Sequence, residues 1–147
     1  MADAMAPDDI LRACGYLEAV WREDDTAMAT LLRHEPGEHP TPVLIADLGD
    51  LIMQVMLPAQ LGIHDGMPAD DLAAAAKKLN TDPTAQVSIV LSETLKALAP
   101  TATPEQAAII ARSLVGYLIA ISEATEDHVL PLISSLRQAA LQRGGTT

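Results

Sequence analysis

Residues 41–58 read Thr-Pro-Val-Leu-Ile-Ala-Asp-Leu-Gly-Asp-Leu-Ile-Met-Gln-Val-Met-Leu-Pro, and this stretch decides the fold. Thr41-Pro42 has the form of a helix start, because proline's missing amide hydrogen costs nothing at the first helical position. From Val43 to Leu57 the polar side chains are Asp47, Asp50 and Gln54, at i, i+3 and i+7. On a helix these three make one narrow polar stripe on an otherwise apolar cylinder. A helix of that kind needs neighbours on at least two sides, so it predicts a central element of an all-α bundle. Pro58 is expected to end it or kink it.

The flanking sequence supplies the neighbours. Upstream, Ile10, Cys14, Leu17 and Trp21 form an apolar stripe on a helix over residues 9–23, with Arg12, Glu18 and Arg22 away from it. A short helix over 25–34 follows, ended by the loop His34-Glu-Pro-Gly-Glu-His39. Downstream, an alanine-rich helix over 68–79 carries Asp70 and Asp71 at its positive end and Lys77 and Lys78 at its negative end. Asp82-Pro83 opens the next, over 83–98, with Val87, Val90 or Leu91, Leu95 and Leu98 as its expected buried face. Thr103-Pro-Glu-Gln106 has capping-box spacing and opens a helix to about residue 127. There Ile109, Ile110, Leu114, Tyr117, Leu118 and Ile121 form a broad apolar face. Ala108, Arg112, Gly116 and Ala120 form a second, mostly small stripe that lets another helix come close. A last helix over 128–142 contains Pro131, which should kink it or restart it.

The predicted architecture is a compact all-α bundle of about six or seven helices, orthogonal or irregular rather than a simple four-helix coiled bundle. A single domain over 9–142 is expected, with a possible subdivision near 62–68. Residues 1–8 read as a flexible N-terminus and 143–147 as a disordered tail.

Composition narrows the function. The 147 residues hold 20 Asp and Glu against 9 Lys and Arg, for a net charge of −11. Such a surface repels phosphates, so neither nucleic acid nor an anionic membrane is an expected partner; a basic protein is a candidate one. The one cysteine, Cys14, excludes an intrachain disulfide and suits a reducing cytoplasm. The N-terminus lacks the basic and apolar regions of a signal peptide. The alanine-rich, lysine-poor composition resembles that of proteins from high-GC bacteria.

Catalytic patterns fail on their mechanics. His34 and His39 stand five apart across Pro36-Gly37, whereas a zinc-protease helix needs two imidazoles at i and i+4. Glu123, Glu126, Asp127 and His128 lack the Glu-x-x-His spacing of a di-metal bundle and read as an exposed acidic turn. Cys14 sits on an apolar stripe with no base beside it, as a buried inert thiol does. No glycine-rich phosphate loop or serine elbow is present. No catalytic residue, cofactor or metal is therefore assigned.

The residues left as candidate interface or ligand contacts are Asp47, Asp50, Arg112, Gly116, Tyr117 and Ala120. The two aspartates suit the solvent edge of their helix, or a polar seam. Arg112 would pair with Asp47, Asp50 or an acidic group on a partner. Trp21 is expected to fill the core while Tyr16 and Tyr117 reach its edge. The surplus of apolar helix faces points to a non-enzymatic interaction or regulatory protein that self-associates. The alternative is a bundle enclosing a small apolar ligand.

Overall fold

The computed structural model describes residues 5–122 and 125–144, and seven α-helices form an irregular bundle without strands among them. They are α1 (Pro7–Trp21), α2 (Asp25–Leu32), α3 (Thr41–Gln60), α4 (Ala69–Thr81), α5 (Pro83–Leu98), α6 (Pro104–Ser122) and α7 (Val129–Gly144). Short 3-10 turns at Ala99–Thr101 and Glu126–His128 lead into α6 and α7. The first helix starts two residues before the expected position 9, since Pro7 serves as its first residue. The last continues to Gly144, into the segment expected as a tail.

Several helix boundaries follow the capping chemistry. Asp82 accepts a hydrogen bond from the Ala85 amide at 2.9 Å. Thr103 and Gln106 exchange side-chain bonds with each other's amides at 3.2 and 2.9 Å, closing the capping box. Thr41 departs from expectation. It lies within α3, fully buried, and donates its hydroxyl to the Leu31 carbonyl instead of capping. The same carbonyl accepts from Nε of Arg12 at 3.1 Å, so the end of α2 is tied to both α1 and α3. Arg12, expected to face away from the bundle, is thereby drawn into it. Nor does Pro58 end α3. It falls in the last turn, and its carbonyl accepts from the amides of Leu61 and Ile63.

The core is one aliphatic cluster built around α1 and α3 and closed by α6 and α7, with Leu95 of α5 and Ala99. It draws on residues from both sides of the 62–68 loop. A smaller cluster of Met53, Leu57 and Ala85 joins α3 to α5, with Leu91 and Tyr117 packed on it. By length and composition α3 and α6 are each long and apolar enough to cross a membrane, but both contribute buried residues to this core. Tyr16 corrects an expectation: it lies wholly inside, with no partner for its hydroxyl among the described residues, while Trp21 is only partly buried.

Two helical glycines have opposite surroundings. A Cβ on Gly49 would lie 3.0 Å from Cδ1 of Leu114, so the missing side chain lets α6 approach α3. A Cβ on Gly116 would meet nothing within 4 Å. Alanine in a helix interior is worth about 0.5–1 kcal/mol over glycine. Gly116→Ala is therefore expected to stabilise the chain by about that amount. Gly49→Ala is expected to destabilise it, because the fully buried Leu114 would have to shift within the core to admit a Cβ at 3.0 Å. Urea denaturation of the two variants beside the parent tests the pair, and equal shifts of the same sign would contradict it.

Candidate functional site

The polar stripe of α3 meets α5. Asp50 accepts from the Ser92 hydroxyl at 3.0 Å with one oxygen. Its other oxygen accepts from Nε2 of Gln54 at 2.9 Å and lies 2.7 Å from Nζ of Lys96. One turn along α5, the Tyr117 hydroxyl donates to Oγ of Ser88 at 2.7 Å, and Ser88 donates to the Thr84 carbonyl at 2.7 Å. Asp50, Ser92 and Lys96 thus form a polar seam between α3 and α5, and Ser88 with Tyr117 links α5 to α6. The expected solvent-edge placement of Asp50 is corrected: it is half-buried and fully engaged.

This seam turns α5 around. Its buried residues are Ala85, Ser88, Ser92 and Leu95, at i, i+3, i+7 and i+10. The apolar face expected inside points to solvent instead, with Val87 68%, Val90 62% and Leu98 56% exposed. Of that set only Leu95 is buried and Leu91 half-buried. Hydrophobicity alone favoured the wrong face. The missed signal was a stripe of small residues, two of them serines, because a seryl hydroxyl enters a core readily when an acceptor awaits it.

On α6 the broad face is buried at Ile110, Leu114 and Leu118, but Ile109 is 58% exposed. Of the small stripe, Ala108 is buried while Arg112, Gly116 and Ala120 are exposed. No other described helix covers Gly116. Arg112 forms no ion pair with Asp47 or Asp50 among the described residues; Lys96 has taken that place beside Asp50. The six candidate residues therefore split. Asp50 belongs to the seam, Tyr117 bonds to its edge, and Asp47 is half-buried nearby. Arg112, Gly116 and Ala120 share an uncovered face.

The electrostatics of the two aspartates oppose each other. Burial alone would push Asp50 upward, but the hydrogen bonds from Lys96, Ser92 and Gln54, with the charge of Lys96, hold its carboxyl below the usual aspartate value. Burial pushes Asp47 upward, only partly offset by Lys96 and His39, and Asp50 and Asp9 add to the rise. Burial likewise raises the Cys14 thiol, against the pull of Arg137. That arginine pairs with Glu18 and ties α7 to α1. A buried thiol raised in this way is a poor nucleophile.

The seam holds no imidazole among the described residues, and the Ser92 hydroxyl donates to Asp50, whose lowered pKa makes it a weak base. No three His, Cys, Asp or Glu side chains stand together as a metal site among the described residues. His34 and His39 are exposed on their loop. In the acidic turn, Asp127 and His128 are exposed, while Glu123 and the side chain of Glu126 lie outside the described residues. What the arrangement can do is hold α5 in one rotation and leave its apolar face outside.

The two aspartates predict opposite pH behaviour. The fold favours ionised Asp50, so its contribution is complete above the ordinary aspartate range and vanishes as pH falls through its lowered folded value. The fold favours neutral Asp47, so its penalty grows as pH rises through its raised value. Asp50→Asn should cost about 1 kcal/mol at neutral pH, with Lys96 partly exposed, and much less in acid. Asp47→Asn should stabilise at neutral pH and have little effect in acid. Denaturation midpoints of both variants at the two pH values check the signs.

Comparison with protein-family models, with curated proteins and with solved structures found no match.

Proposed function

We propose that this chain is a non-enzymatic, self-associating interaction protein that pairs with a second copy through the outer faces of α5 and α6. The observation that carries the reading is the exposed row Val87, Val90 and Leu98 on α5, with Ile109 exposed on α6. Val87, Thr94 and Leu98 follow one another at i, i+7 and i+11, with Val90 beside them and half-buried Leu91 at their inner edge, so they form an exposed row along the helix. On α6, Gly116 and Ala120 lie two and three turns along from Ile109 on the same exposed side, with Arg112 between them. The Tyr117–Ser88 hydrogen bond links the two helices.

Leaving several large aliphatic side chains in water forgoes burial worth roughly 1.5–3 kcal/mol for each one fully covered. Covering them against an identical surface, in a two-fold pairing, recovers part of that. The net charge of −11 keeps the rest of the surface from unspecific association. It also disfavours nucleic-acid and anionic-membrane partners, and the lone thiol suits a cytoplasmic setting. The same charge supports a basic protein as a second kind of partner, bound in a salt-sensitive way.

Sedimentation equilibrium over a range of concentrations is expected to give a dimer. Val87→Glu combined with Val90→Glu should weaken that dimer by about tenfold or more, since each carboxylate would be desolvated at the contact. Helix content should stay unchanged, because neither position is buried in the monomer. A chain that stays monomeric at every concentration refutes the reading. A monomer that binds a basic protein only at low salt would favour the second partner class.

A further inference from the structure

A cleft of about 430 Å³ opens at the other end of α3, between its last turns, the loop over 61–68 and the start of α4. Its volume falls within the range of small-molecule sites. Val55, Pro58, Ile63, Met67 and Leu72 give it an apolar lining, and Val55 and Leu72 are among the large hydrophobic side chains left exposed.

The charge around this lining has one sign. Asp65 is the only charged side chain among the lining residues, and no Lys or Arg is present there. His64 has Nδ1 at 2.8 Å from the Asp65 carbonyl. A carbonyl can only accept, so Nδ1 carries a proton that is committed to it. The side-chain nitrogen of Gln54 is committed to Asp50. Pro58, in the last turn of α3, has no amide hydrogen, so the Gln54 carbonyl lacks its regular donor four residues on. Acceptors with an apolar surface beside them suit a ligand that brings donors and positive charge.

The loop is held in place rather than loosely draped. The amides of Leu61 and Ile63 bond to the Pro58 carbonyl at 3.1 and 2.9 Å, and Gly62 bonds to Ala59 at 3.0 Å. Gly62 and Gly66 take φ of +76° and +85°, a region glycine enters without strain. From this geometry we infer that the cleft binds a small protonated amine on an apolar body, with the alkyl or aryl part against Val55, Ile63 and Leu72 and the ammonium beside Asp65.

The site is separate from the outer faces of α5 and α6, so it stands or falls independently of self-association. The test is an NMR titration of the full chain with hexylammonium chloride and, in parallel, with neutral 1-hexanol. Saturable shifts in residues 54–72 are expected for hexylammonium. Its affinity should exceed that of 1-hexanol about three- to fivefold, the range of a solvent-exposed ion pair. Asp65→Asn should remove that difference while leaving 1-hexanol binding unchanged. Val55→Trp, at an exposed position, should fill the cleft and abolish binding of both with helix content intact. Equal affinity of the two probes, no effect of Asp65→Asn on hexylammonium, or no saturable shift would each overturn the inference.

Discussion

The demand that α3 be covered around most of its circumference organises this molecule. Ten of its twenty residues are buried, and it packs against α1, α2, α5, α6 and α7. Gly49 lets α6 come close, with Leu114 set against its bare backbone. Because protein interiors are close-packed, each neighbour's position constrains the next. Once α6 is seated against Gly49, the other flank of α3 remains for α5, and there the polar stripe must be satisfied.

That satisfaction explains the rotation of α5. The opposite rotation would cover Val87 and Val90 but leave the half-buried carboxylate of Asp50 without Ser92 and Lys96. Asp50 gains Ser92, Gln54 and Lys96, and Tyr117 gains Ser88, only if the serine face turns inward. The outward valines and leucine follow from that choice. An uncovered apolar face on an acidic protein is therefore the by-product of a polar requirement in the interior.

Much of the architecture was legible beforehand. Proline and its capping residues placed the starts of α5 and α6, because those signals act within three or four residues. Apolar spacing placed α1 and the central α3, and buried Cys14 within its stripe. The polar seam was legible only in part. Asp50 drew notice for sitting on an apolar helix, but its partners are distant, with Ser92 removed by 42 residues. Thr41 looked like a cap because cap chemistry is local, yet the carbonyl of Leu31 claimed its hydroxyl across a loop. Arg112 looked like a candidate for pairing with Asp50, and Lys96 reached that carboxylate first by lying one turn along α5 from Ser92.

By itself the sequence determined an all-helical chain, most of its helix starts, a buried central helix and a strongly acidic surface. These depend on local backbone preference, hydrophobic period and summed charge. Only the tertiary structure decided which side of α5 faces inward, that Gly116 has no neighbour, and that the end of α3 opens into a cleft. The reason is that burial is a property of pairs of elements. The hydrophobic pattern of one helix shows what it prefers to hide, but hydrogen-bond partners far along the chain decide what it can hide.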